Sequence, residues 1–257
     1  TVRYPAAAGT FYPGEKSELR EMINSFIESA EEKEIDGELK ALIVPHAGYI
    51  YSGPVAAVGY KLLQKKKREY EKIVLIGPSH FTRFPGVAQS EDEFWETPLG
   101  KVEMEKFPEK DNIRNYNIAH KKEHSLEVQL PFLQMVLGKL RCYALLTGEV
   151  SYRMFANQLS KECDEKTLLI ISTDLSHYYS CSQALRIDSV ANRSIPSLDI
   201  GKVEDFVEAC GKEGILTLMQ IAKLKKWKGK FLEYKNSGDT SGSKDRVVGY
   251  GCYAFYE

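Results

Sequence analysis

Four short apolar runs set the rhythm of the chain, at 41–44 (ALIV), 73–76 (IVLI), 143–146 (YALL) and 168–171 (LLII). Near 54–66, 126–137 and 152–161 the apolar residues instead recur at the 3.6-residue period of helices. Strands that are apolar on both faces and separated by helices predict a mostly parallel central sheet with helices on both faces. Upstream, Leu19, Met22, Ile23, Phe26 and Ile27 fall at helical spacing among charged residues, which predicts an amphipathic helix. Residues 1–13 are small and broken by Pro and Gly, and read as an extended lead-in. Downstream the pattern predicts helices around 183–193, 203–210 and 215–227, then strands at 230–235 and 247–256 joined by the polar loop 236–245. No internal repeat, low-complexity tract or Pro/Gly/Ser-rich linker divides the chain, so a single α/β domain is expected over 1–257.

Composition narrows the function. With 43% hydrophobic and 28% charged residues the chain has the make-up of an ordinary globular protein. A net charge of -1 predicts no nucleic-acid partner, and the basic runs at 65–68 and 223–230 read as solvated helix ends. No apolar stretch reaches the ~20 residues that a membrane span needs, and no secretory leader pattern is present, so no membrane partner is expected. Five scattered cysteines without a C-x-x-C pair disfavour a disulfide framework or a zinc ribbon and predict a reducing, cytoplasmic setting.

In an open parallel sheet, ligands bind outside the carboxyl ends of the strands. His46 lies two residues past the run 41–44, in VPHAGY; His80 follows 73–76, in LIGPSH; His177 follows 168–171, in LIISTDLSH, with Asp174 three residues before it. Folding should bring these three imidazoles and one carboxylate to a single rim. They are a ligand set for a borderline divalent metal such as zinc, iron or copper. They are also side chains able to move protons near neutral pH. A second cluster, in KEHSLEVQLPFL, holds Glu123, His124, Ser125 and Glu127; His124 and Glu127 could share a helical face, or Ser125 could simply cap a helix. The loop NSGDTSGSKD (236–245) reads either as a hairpin loop or as an anion-binding nest, the hairpin being the default.

Through RYPAAAGTFYP, VPHAGYIYSG, LIGPSH, EHSLEVQLPFL, STDLSHY and YGCYAF, in this order over nearly the whole length, the sequence resembles the Memo family, named for a mediator of cell motility in animals. The resemblance implies a fold similar to class III non-haem iron extradiol dioxygenases, with His46, His80 and His177 in its pocket. In animal members a cysteine joins that pocket. Aligning the closing VVGYGCYAF puts Thr240 or a neighbour at that place and leaves Cys252 in the last strand, which speaks against thiolate-dependent copper chemistry.

Three functions follow. The first is an Fe(II)-dependent oxidation of a small aromatic or phenolic substrate. Here His46 and His80 are metal ligands, His177 is a third ligand or a proton donor, Asp174 orients an imidazole, and His124 is a further catalytic candidate; Tyr49, Tyr51 and Phe81 would line the pocket. The second is hydrolysis by a zinc-activated water in the same site. The third is binding without turnover, of a peptide, a phospho-ligand or a metal ion.

Overall fold

The computed structural model describes residues 1–257. Strand β1 (Val2–Arg3) and helix α1 (Lys16–Ser29) precede β2 (Leu39–Val44), α2 (Tyr49–Lys65) and β3 (Lys72–Pro78). A run of short elements follows: β4 (Val87–Gln89), β5 (Phe94–Thr97), β6 (Gly100–Glu105), β7 (Ile113–Asn115) and α3 (Asn117–His120). A 3-10 turn (Glu127–Gln129) then leads into α4 (Leu130–Leu137), β8 (Arg141–Thr147), α5 (Tyr152–Ser160), β9 (Thr167–Ser172) and β10 (His177–Tyr179). The chain closes with α6 (Cys181–Ser194), α7 (Ile200–Phe206), α8 (Lys212–Lys225), β11 (Lys228–Asn236), α9 (Ser237–Thr240) and β12 (Val247–Tyr256).

The four apolar runs are the centre of the sheet. β8, β3, β9 and β2 lie side by side in that order, all parallel. Every residue of β2 and of β9 is buried, as strands covered on both faces must be. The two-residue period divides them between two cores. Leu42, Val44, Leu75, Leu168 and Ile170 pack with α1, α2 and α4, while Ala41, Ile43, Val74, Ile76, Leu169 and Ile171 pack with α5, α7 and α8. The margins are antiparallel: β12 joins β2, and β11 and β10 both join β12. On the other side β6 extends the parallel set and β5 turns back on it.

Three expectations change. The 87–115 region supplies β4 to β7, too short and too mixed in polarity to register as strands. The expected helix 203–210 ends at Phe206, where Val207 turns extended (φ -88°, ψ 129°), and residues 207–211 form the approach to α8. The loop 236–245 contains the single helical turn α9, capped by Asn236. No helix is long and apolar enough to cross a membrane.

Candidate metal centre

Strands β3, β9 and β2 are neighbours and run the same way, so their carboxyl ends lie along one rim of the sheet. β2 delivers His46, β9 delivers Ser172, Thr173 and Asp174, and β3 delivers His80. The His46 and His80 rings stand 5.2 Å apart, edge to face. His124, from the segment before α4, stacks on His80 at 4.8 Å and meets the edge of His46 at 5.5 Å. Into this group comes Cys210, whose Sγ lies 3.4 Å from Nε2 of His46. One ligand atom from each of His46, His80 and Cys210 falls within 4.8 Å of the others, a spacing that a single ion could bridge.

Hydrogen bonds settle which nitrogen each histidine presents. The Ser172 hydroxyl has one proton, and it donates that proton to the Ser125 carbonyl at 2.6 Å. Toward its other neighbours it therefore only accepts, from the Gln129 amide at 2.9 Å and from Nδ1–H of His46 at 3.0 Å. The Gln129 orientation is fixed in turn, because its amide also donates to Pro45 O at 2.9 Å and its carbonyl accepts from the Tyr60 hydroxyl at 2.7 Å. For His80 the partner is Glu123, whose Oε1 lies 2.9 Å from Nδ1; a carboxylate can only accept, so Nδ1 is the donor. Both rings are thus locked with Nε2 left for another partner, the arrangement of a metal-ligating histidine held by an outer partner. Asp174 adds to this by accepting the His46 backbone N–H at 2.9 Å, while its other oxygen stands 3.8 Å from Nε2.

The second possible ligand group, His80, Glu123 and His124, is better understood as the support of the first. Glu123 accepts the backbone N–H groups of His80 (2.5 Å), His124 (2.9 Å) and Ser125 (2.9 Å) besides the imidazole. Its oxygens are committed. Ser125 caps no helix; its hydroxyl donates to Pro78 O at 2.9 Å and so ties this segment to the end of β3.

Cys210 is placed by a turn that only glycine completes. Gly211 N–H bonds to Thr173 Oγ1 at 2.9 Å, and a Cβ on Gly211 would fall 2.8 Å from Thr173 Cβ and 2.9 Å from Ser172 O. This close approach brings the α7–α8 connection against the end of β9, and the preceding residue reaches His46. The Asp174 backbone N–H points at Sγ from 3.3 Å.

Residues 3–254 match the family described as Memo-like protein. A MEMO1 family protein of Nitrosopumilus maritimus is 34% identical over 277 residues, covering 99% of each chain, and one of Aquifex aeolicus is 35% identical over 267 residues, covering 97% of each. The chain belongs to the Memo family. A solved structure of an uncharacterized protein from Escherichia coli K12 is a much more distant match, with a TM-score of 0.48 and 11% identity over 83% of this chain and 99% of that one.

Within this family member the expected cysteine position needs correcting. Thr240 lies in α9, its hydroxyl directed at Ser237 O at 3.4 Å, and the thiol beside the histidines is Cys210. Cys252 is buried in β12, as expected. His177 is not one of the converging ligand atoms. After Asp174 the chain is tied back to β12 by Leu175 N–H to Gly249 O (2.8 Å) and Gly249 N–H to Ser176 O (2.9 Å), and His177 pairs with Val248 in the bulged strand β10. Its ring contact is with Tyr178, at 5.7 Å. Of the aromatic residues expected around the site, Tyr49 is core, its hydroxyl on Val128 O, whereas Phe81 is exposed with its ring 6.3 Å from His124. Phe11, from the lead-in, stacks on the other face of His124 at 4.1 Å.

The charged groups of this cluster act on one another. Burial works against protonation of His46, but the Asp174 carboxylate and Cys210 outweigh it and raise the imidazole to about 9. His80 is raised to about 10, burial being overcome by Cys210 and Glu123. The converse holds for the acids: against burial, His46 and His80 lower Cys210 to about 6, and His80 helps lower Glu123 to about 2. His124 goes the other way, to about 4, through burial and the nearby His46 charge. Without metal, then, a thiolate faces protonated Nε2 groups, and His124 is neutral.

One prediction concerns the outer support. Ser172→Ala leaves Nδ1 of His46 without its acceptor and should weaken metal binding by about 10–100-fold, read by competition with a chromophoric chelator. Unchanged affinity would show that Ser172 does not orient the ring.

Proposed function

We propose that this chain is a mononuclear metal-dependent oxidoreductase. One iron(II) ion would be held by Nε2 of His46, Nε2 of His80 and Sγ of Cys210, and O2 would be used to oxidise a small aromatic or phenolic substrate. The observation that carries the reading is the convergence of these three atoms, each histidine oriented by a hydrogen bond at its far nitrogen. Three protein ligands leave open positions, and iron(II) held this way would supply the redox chemistry. The residues around it would do the rest. Asp174 holds the His46 backbone, and Glu123 fixes His80. His124, neutral and stacked between His80 and Phe11, would accept a substrate proton. Phe11 and Phe81 would offer aromatic surface to a planar ring. His177 keeps the second of the roles its sequence position allows, proton donor.

The thiolate favours a second reading in which the same ligands hold zinc and a bound water is activated for hydrolysis. Metal analysis of protein prepared without added metal, followed by anaerobic iron(II) titration and O2 uptake with catechols, separates the two. Iron-dependent uptake at one iron per chain supports oxidation. Stoichiometric zinc with hydrolysis, or no iron-dependent uptake with any substrate, contradicts it. In the same assay His177→Phe should lose turnover at unchanged metal content; full turnover would remove His177 from the reaction.

The pH dependence has a definite sign. Below about 9 and about 10 the His46 and His80 rings carry protons that an incoming ion must displace, whereas Cys210, lowered to about 6, is already a thiolate at neutral pH. Metal affinity should rise with pH from 6 to 9, and at pH 7 binding should release protons from the imidazoles. Calorimetry in two buffers of different ionisation enthalpy measures that release. Affinity independent of pH over this range would contradict the protonation states given above.

A further inference from the structure

Asp174 has an oxygen left over beside the ligand cluster. The residue is 5% exposed, and its two oxygens have different surroundings. Oδ1 accepts the His46 backbone N–H at 2.9 Å. Oδ2 accepts from no group of the protein; its only cationic neighbour is Nε2 of His46, at 3.8 Å, beyond hydrogen-bonding distance. The other carboxylate at the cluster, Glu123, has both oxygens filled: Oε1 by the His80 ring and the backbone N–H groups of His124 and Ser125, Oε2 by the His80 backbone N–H. Nor is Oδ2 of Asp174 sealed off, since Nδ1 of His120 is the one side-chain nitrogen or oxygen that is both enclosed and without a partner.

This carboxylate stands among the ligands. Its charge acts on His46, His124 and Cys210, and the Asp174 backbone N–H points at Sγ of Cys210 from 3.3 Å. Once Nε2 of His46 is deprotonated to ligate, no proton of the protein faces Oδ2. A partly enclosed acceptor in that state favours a ligand that brings its own donor. Flat apolar surface lies close by, with Phe11 stacked on His124 at 4.1 Å and the Phe81 ring 6.3 Å from it. Two atoms as near to each other as Nε2 and Oδ2 can be met by adjacent substituents of one aromatic ring, but not by substituents at its opposite ends.

We propose that Oδ2 of Asp174 is a specificity-determining acceptor, selecting a phenolic substrate with an N–H or O–H donor next to the oxygen directed at the ligand cluster, an assignment that rests on the phenol-oxidising function proposed above.

The test uses the full chain loaded with zinc, which is redox-inactive, so that binding is measured by calorimetry without turnover and in the absence of O2. The probes are 2-aminophenol and o-cresol, of nearly the same size, the second with a methyl group in place of the amine. In Asp174→Asn, Oδ1 can still accept the His46 N–H while Nδ2 puts a donor where Oδ2 was. The preference for 2-aminophenol over o-cresol should fall at least about tenfold in this variant, the loss of one charge-assisted hydrogen bond. Any affinity of the amine for zinc itself is common to both proteins and cancels in the comparison. A crystal structure of the zinc-loaded parent with 2-aminophenol should show the amino nitrogen about 2.7–3.2 Å from Oδ2. That structure is read on the unaltered chain, so misfolding of the variant cannot mask the answer. Uptake of neither zinc nor iron at the cluster would overturn the oxidoreductase function and this proposal together. Metal uptake with an unchanged preference in Asp174→Asn, equal binding of the two probes by the parent, or an amino group turned away from Asp174 would overturn this proposal alone.

Discussion

Cys210→Ala is expected to remove tight metal binding while leaving the protein folded. Loss of an outer contact to a ligand weakens metal binding by up to ~100-fold, and loss of a ligand should exceed that. The fold should hold because Cys210 sits in the connection between α7 and α8 and belongs to neither hydrophobic core. The side chain is small, and its contacts are with His46 and with Thr173 and Asp174 at the end of β9. Chelator competition gives the affinity and circular dichroism the fold. The informative control is His177→Ala, which should change affinity by less than about tenfold, because no supporting contact to a ligand is removed. If Cys210→Ala bound metal normally and His177→Ala did not, the ligand set inferred from convergence would be wrong.

The largest loss of stability is expected at Glu127, which chemistry-minded reading of its neighbours would place among the catalytic groups. Its carboxylate is fully buried and accepts from Arg3 Nη1 (2.6 Å), the backbone N–H groups of Ala6 and Ala7 (2.8 Å each) and the Tyr12 hydroxyl (2.8 Å). Arg3 is equally committed, donating also to His120 O at 2.9 Å and Glu123 O at 2.7 Å, with its guanidinium 4.2 Å from the centre of the Trp95 ring. This pair staples the lead-in to the segment that carries Glu123 and His124. Glu127→Gln keeps the shape but leaves Arg3 buried without its counter-charge, a loss of about 3–5 kcal/mol. At roughly 2–4 °C per kcal/mol for a chain of this size, the melting temperature should fall by about 10 °C. Replacing both partners with apolar residues of similar volume should be milder, because no lone charge remains. A Glu127→Gln variant as stable as the parent would mean that the pair contributes only to placement of the lead-in.

The centre of the fold could be read from the sequence because it depends on the chain's strongest signals. Runs such as 41–44 and 168–171 have no polar residue on either face, and only strands covered on both sides tolerate that. The strand-end rule then singled out His46 and His80, each of which lies two residues past the carboxyl end of a central parallel strand, β2 or β3. One element later the rule meets a turned backbone. It was extended to His177, five residues beyond β9, where the chain already bonds with Gly249 of β12, while Asp174 still accepts the His46 backbone N–H. Cys210 was missed for a complementary reason. It comes from between two helices, where the strand-end rule has nothing to say, and apolar spacing absorbed it into a helix expected over 203–210. A signal was present. Cys210 and Gly211 stand directly before the amphipathic run of α8, and a glycine there permits the contact with Thr173 that a longer residue would block. The short strands β4 to β7 carried too few residues each for any period to show.

The most direct test is a crystal structure of the metal-loaded protein, with anomalous scattering recorded at the absorption edge of the bound metal. A single strong peak is expected about 2.0–2.3 Å from Nε2 of His46, Nε2 of His80 and Sγ of Cys210, with Nδ1 of each ring still on Ser172 and Glu123. A peak coordinated through His177 in place of Cys210, or one bound at Glu123 and His124, would contradict the account.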